Sequence, residues 1–261
     1  MYTLGTMTLD RWIRRALAGV AASPMTLVPP MKLAPAMTLM FGVLALSVLQ
    51  ADPARAQIAL ERAIVDFSAD DQRRSDIEVT NTGDETLFIE VTPRLVQDPG
   101  EPDEERVEVR NPRELGLLAS PRRMVLEAGQ RNLLRLSLLK RPVEKDRIFR
   151  VRVTPKFNDF ETERTGVRVV VAYNMLVIAR PPDAVADLVA TRNGRELKLA
   201  NRGNSNALFL SGEQCAPGGG DCQDLPTRRM YAGNEWTVTL PYDTEATWTV
   251  RTPEGLEERS W

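Results

Sequence analysis

Two cysteines, Cys215 and Cys222, and a few adjacent carboxylates are the side chains that offer themselves for chemistry in this chain of 261 residues. Histidine is absent, which removes the Ser–His–Asp triad, the Cys–His pair and imidazole metal ligation together. Two thiols cannot close a four-thiolate zinc site. The pairs Glu104-Glu105 and Glu257-Glu258 stand in a turn-rich stretch and a tail, where nothing suggests a pocket or a raised pKa. The expectation is a protein that is not an enzyme, with no metal and no cofactor. A formal charge of -2 gives no electrostatic footprint for nucleic acid.

The cysteines bracket Ala216-Pro217-Gly218-Gly219-Gly220-Asp221. This spacing is not Cys-x-x-Cys and no helical pattern follows it, so a redox-active pair is disfavoured. In an oxidising compartment a disulfide would staple the loop, worth about 2–3 kcal/mol in the chain-entropy picture.

The N-terminal segment points to such a compartment. From Met31 a basic start (Lys32) leads into the apolar run Met40-Phe41-Gly42-Val43-Leu44-Ala45-Leu46, and Ala54-Arg55-Ala56 supplies the small-x-small pattern of a signal cleavage site. Leu33–Gln50 approaches the length of a membrane span, but Pro35 and the nearby cleavage pattern favour a removed leader. Residues 1–30 hold Arg11, Arg14 and Arg15 without a twin-arginine context, and read as an overlong leader or an upstream start. Cleavage after Ala56 makes 1–56 the leader, leaving 29 basic and 34 acidic residues.

The elements that follow are strands. From Gln57 period-2 alternation dominates and helical periodicity is almost absent. Ile77 and Val79 alternate with Asp76, Glu78 and Thr80, and Asn81-Thr82-Gly83-Asp84 then turns the chain into Leu87, Ile89 and Val91. Leu134, Leu136 and Leu138 form another set, as do Phe149, Val151 and Val153. The acidic stretch 97–106 reads as a solvated surface loop. Arg180-Pro181-Pro182-Asp183 breaks the series. A second series then resumes, with Asn193-Gly194 as a hairpin turn, followed by 207–210, 236–240 and 248–251. The pattern predicts an all-β protein with one antiparallel sandwich over 57–180 and a smaller one over 181–261.

One stretch is unusual. Residues 167–179 contain a single charge, Arg168, and read as one thirteen-residue strand, more than twice the usual length. A strand buried on both faces explains such a pattern without any function. An edge strand with a spare apolar face explains it too, provided that something covers the edge.

The order of motifs resembles the periplasmic pilus-assembly chaperones. Ile58–Phe67 is similar to that family's first strand, and Asp76–Asn81 to its second, ending in Asn. Pro121, Leu126 and Gly129 fit its Pro-x-x-x-x-Leu-x-x-Gly segment, and Leu134-Arg135-Leu136 the strand after it. Asp146-Arg147 before Phe149 stands where the family has Asp-Arg-Glu-Ser and an aromatic strand, with Ile148 in place of the Glu. Val177–Pro181 stands where its last strand ends in Tyr-Arg-Pro. The resemblance implies two immunoglobulin-like β-sandwich domains in an L or boomerang arrangement. It also implies a periplasmic chaperone that stabilises pilin-like subunits and delivers them to an outer-membrane usher. The long strand would complete the subunit's sheet by donor-strand complementation, with Val167, Val169, Val171 and Tyr173 as its binding residues. The family holds the subunit's terminal carboxylate with an Arg on the first strand and a Lys on the last. The corresponding residues here are Ile64 and Leu176, so Arg62 and Asn174 are the candidate anchors instead. The alternative reading is a secreted two-domain structural or adhesive surface protein.

Overall fold

The computed structural model describes residues 57–68, 72–156 and 170–261, all within one compact unit of the chain. The first ten strands are β1 (Ile58–Leu60), β2 (Ile64–Phe67), β3 (Arg74–Asn81), β4 (Leu87–Gln97), β5 (Glu105–Val107), β6 (Leu117–Ser120), β7 (Arg123–Leu126), β8 (Arg131–Leu138), β9 (Arg147–Lys156) and β10 (Tyr173–Ala179). A single helical turn, α1 (Pro112–Leu115), precedes β6; Asn111 caps it and Gly116 ends it in the left-handed conformation. One sheet has the order β1-β3-β8-β6 and the other β2-β10-β9-β4-β5, with β7 also on β4.

Alternation decides which side chains meet between the sheets. Ile77, Val79, Leu134 and Leu136 point inward from the first sheet, and Val91, Phe149, Val151 and Val153 from the second. All are fully buried or nearly so. Full burial of such a side chain is worth about 1.5–3 kcal/mol. The turn at Asn81 carries the chain from one sheet to the other, because β3 pairs with β1 and β8 while β4 pairs with β9.

The second sandwich comprises β11 (Leu188–Asn193), β12 (Glu196–Asn201), β13 (Ala207–Cys215), β14 (Cys222–Leu225), β15 (Arg228–Met230), β16 (Glu235–Thr239), β17 (Ala246–Arg251) and β18 (Leu256–Ser260). Its sheets run β11-β12-β16 and β14-β13-β17-β18, with β15 also on β13. The expected hairpin joins β11 to β12, with its turn one residue later than Asn193-Gly194: Asn193 still pairs with Glu196, and Gly194 and Arg195 make the turn, Gly194 supplying φ 58°. Phe209, Trp236 and Trp248 pack edge-on at its centre, with ring centroids 5.4–6.2 Å apart. Cys215 and Cys222 are cross-strand partners joined by a disulfide. Glu213 lies close to both sulfurs, but disulfide sulfurs are not thiolate ligands.

The same corner is built in both sandwiches. Buried Asn81 donates its side-chain N–H to Glu85 O and Leu126 O at 2.7 and 2.9 Å, and accepts from Gly83 N at 2.9 Å. Asn201 donates to Ser205 O and Met230 O at 2.8 and 3.2 Å, and accepts from Gly203 N at 3.1 Å. Each Asn satisfies backbone groups that a turn between two sheets would otherwise leave unpaired.

Candidate functional site

β10 has two unlike halves. Along its whole length it pairs antiparallel with β9, from Tyr173 opposite Val153 to Ala179 opposite Arg147. On its other side β2 lies parallel, but only from Leu176, which faces Ile64, to Ala179, which faces Phe67. The contact begins where Leu176 N–H donates to Ala63 O at 2.9 Å. Before that point the chain belongs elsewhere, since β1 pairs with β3 in the opposite sheet. The crossing at 61–63 therefore leaves the outer side of Tyr173–Met175 without a neighbouring strand among the described residues. Met175, Val177 and Ala179 point into the main core, and Leu176 and Ile178 join a small cluster with Val96, Ile148 and Tyr231.

The expected strand over 167–179 is thus shorter in the structure. Strand geometry starts at Tyr173; residues 170–172 are exposed and irregular. Among the described residues they pair with neither β9 nor β2, whose registers with β10 begin at Tyr173 and Leu176. Val170 and Val171 are 46% and 41% exposed. Val167 and Val169 lie outside the described residues.

The remaining expected site residues are dispersed. Tyr173 is half-buried, packs on the first core and donates its hydroxyl to Ile58 O at 3.0 Å, so its side chain serves its own sandwich. Asn174 is exposed and lies opposite Arg152. Arg62 sits in the irregular link between β1 and β2 and not on a strand, so alternation does not place it on the face of Ile64. Its guanidinium pairs with Glu61. That hydrogen bond, with a second from Glu78 N–H, holds the Glu61 carboxyl below the ordinary carboxylate value. Ile64 and Leu176, the two positions where cations were missed, are cross-strand neighbours; Ile64 is 51% exposed.

Beyond Ala179 the strand delivers Arg180 into a buried polar junction between the sandwiches. Its guanidinium donates to Asp66 through Nε at 2.8 Å and Nη2 at 2.7 Å, and to Ser205 Oγ through Nη1. Ser205 in turn donates to Asp146 at 2.9 Å, which also accepts from Asn206 N–H at 2.8 Å and Asn206 Nδ2 at 2.6 Å. Burial raises the Asp146 carboxyl above its ordinary value, against the lowering effect of the Asn206 bonds and the Arg180 charge. The stretch 97–106 lies at the surface as expected, with no residue buried, and it also touches the second sandwich: its Pro99 O accepts from Asn234 Nδ2 at 3.1 Å and its Gly100 O from Arg228 at 3.4 Å. Turn residues there present bare backbone carbonyls that the second sandwich satisfies.

The chemistry on offer at this edge is main-chain pairing. An open ladder edge beside exposed valines supplies main-chain donors and acceptors with an apolar face. No family model matches the sequence, and no curated protein matches it either. Solved structures do match. The class 5 fimbriae chaperone CfaA aligns with a TM-score of 0.60 at 19% identity, over 78% of this chain and 98% of that one. A chain from the Salmonella enterica complex of SafA pilin with the SafB chaperone aligns at 0.57 and 17%, over 80% and 98%. The periplasmic chaperone SfaE aligns at 0.53 and 16%, over 78% and 98%. The chain has the fold of the fimbrial chaperones, with two immunoglobulin-like sandwiches. Among the described residues no helix is long and apolar enough to cross a membrane.

Proposed function

We propose that this protein is a periplasmic chaperone that binds pilus subunits by donor-strand complementation and hands them to an outer-membrane usher. The observation that carries the reading is the open side of β10 before Leu176, continued by exposed Val170 and Val171. The fold shared with the fimbrial chaperones supports it. In this reading 1–56 is a removed leader, 57–180 the subunit-binding domain and 181–261 a second domain fastened to it. Val167, Val169 and Val171 enter the subunit's groove, each contributing ~1.5 kcal/mol or more when buried, and the backbone ladder adds to them.

Co-expression with a pilin-like subunit tests it. Val169→Asp with Val171→Asp should abolish co-purification, while the circular dichroism spectrum and melting temperature stay those of the parent, because Val171 is exposed and unpaired. Capture that survives the double change rules the mechanism out. N-terminal sequencing of the exported protein should begin at Gln57.

A further inference from the structure

The sheet that holds β10 also carries an apolar groove on its outer face, on the far side of β9. On β4, Leu87 and Ile89 point into the core, so Phe88 points outward; on β7, Met124 and Leu126 point inward and Val125 outward. Phe88 and Val125 are direct cross-strand partners, and both are exposed. With Ile89 and Met124 beside them they line a groove of about 500 Å³. On its other side Phe88 faces Lys156, the last residue of β9. Glu90 at the rim is shared by two cations, Arg123 at 4.0 Å and Lys156 at 3.5 Å, so one positive charge is left over. A cross-strand apolar pair steadies its sheet only modestly, whereas an apolar groove open to water favours a segment that covers it.

The chain itself supplies the complement at that rim. β9 ends at Lys156, and the sequence that follows, outside the described residues, is Phe157-Asn158-Asp159-Phe160-Glu161-Thr162-Glu163. It holds two of the seven phenylalanines and three carboxylates, with no cation. Phe88 is one strand away from Lys156 and Val125 two, about 5 and 10 Å. Four extended residues span up to about 14 Å, so Phe88 is within reach of Phe157 and Val125 within reach of Phe160. The carboxylates match the leftover positive charge. A segment tethered at the rim acts at an effective concentration in the millimolar range, which favours it over a separate polypeptide of the same chemistry.

We propose that residues 157–161 of the same chain dock in this groove, Phe157 and Phe160 on Phe88 and Val125, with Asp159 and Glu161 toward Arg123 and Lys156. Docked there, the segment covers the apolar pair and lies across β9 from the open side of β10, which stays clear for a partner strand. The inference goes beyond the strand-addition reading and does not depend on it.

Disulfide trapping in the purified full chain tests it. Cys215 and Cys222 are already joined, so no native thiol competes. Val125→Cys is combined with Phe160→Cys in one variant and with Phe157→Cys in another. Mild oxidation should close an intramolecular disulfide in at least one of them, located by peptide mass spectrometry. Adding Arg123→Glu should slow its formation about two- to fivefold, the scale of an exposed ion pair. Val125 and Arg123 are exposed, so all variants should keep the parent's circular dichroism spectrum and melting temperature. Thiols that stay reduced in both variants while reacting freely with a maleimide overturn the proposal and leave the groove to another molecule. A disulfide between two chains overturns it in favour of a second copy. A rate that Arg123→Glu leaves unchanged marks a chance encounter of a tethered thiol and overturns it too.

Discussion

Replacing Arg180 by Ala probes the junction to which the C-terminal end of β10 is tied. The side chain is 8% exposed and holds Asp66, whose own side chain is 40% exposed, together with Ser205. Removing one member of a fully buried ion pair costs about 3–5 kcal/mol, because the other charge is left without compensation. Asp66 is exposed enough to rehydrate, which pulls the expectation down. Asp146 pulls the other way: it is buried and loses a nearby positive charge. A loss of about 2–4 kcal/mol follows. Guanidinium denaturation followed by two signals measures it. Trp236, Trp248 and Trp261 all belong to the second core, and Trp12 lies in the expected leader, so fluorescence of the mature chain reports the second sandwich. Far-UV circular dichroism reports both. The two transitions should coincide in the parent and separate in Arg180→Ala, with the sandwiches no longer unfolding as one unit. A loss below about 1 kcal/mol, the scale of an exposed pair, would refute this account. It would mean that the apolar contacts of Tyr231 with Val96, Ile148, Leu176 and Ile178 hold the junction by themselves.

Three further outcomes follow from the same contacts. Gly100→Ala should destabilise by about 1–3 kcal/mol in urea titration, because φ is +80° and a Cβ would stand 2.7 Å from Asn234 Oδ1 and 3.0 Å from the Tyr231 ring. Burial raises the folded-state pKa of Asp146, so the folded protein holds that proton more tightly than the unfolded chain does. This contribution is complete below the ordinary carboxylate pKa of about 3.9 and is lost as pH rises through the folded value. Asp146→Asn should therefore remove one stabilising component on acidification, read as a denaturation midpoint that falls further below the parent's as pH drops from about 7 to 4; a difference between the two that does not change with pH refutes it. Cys215→Ser with Cys222→Ser should cost the second sandwich about 2–3 kcal/mol and leave subunit capture unaltered, since the staple is on β13 and β14 and remote in sequence from β10.

Much of the fold was legible because alternation is local. Ile77 and Val79, or Phe149, Val151 and Val153, announce their inward face within five residues of sequence, and a sandwich follows once such strands recur between turns. The sequence also holds a repeat that its period-2 pattern does not reveal: Asn81-Thr82-Gly83-Asp84 and Asn201-Arg202-Gly203-Asn204 occupy equivalent corners and bond alike. The composition of 97–106 shows its exposure but not its contact with the second sandwich. Its partners, Arg228 and Asn234, lie more than a hundred residues away, and no local pattern encodes such a contact.

The long apolar run shows why a site is harder to read than a fold. Buried strand and open edge are rival accounts of the pattern over 167–179, yet β10 is the first from Leu176 onward and the second before it. What divides the two halves is where β2 begins, and that depends on the crossing at 61–63, more than a hundred residues earlier. The division has a mechanical consequence. A strand that offers an edge must remain extended without the partner it awaits, and an isolated ribbon is only marginally stable. Here the C-terminal half is clamped between β2 and β9, buried on both faces and tied at Arg180 to Asp66 and Ser205. The exposed half inherits its direction from that clamp, so less ordering entropy is lost on binding than for a free loop. On this reasoning Arg180 influences capture without touching the subunit, and Arg180→Ala should slow association more than Val171→Ala does, while Val171→Ala should chiefly speed dissociation. Stopped-flow kinetics of subunit binding separate the two, and equal effects on both rates would show that the open edge is not held by its buried half.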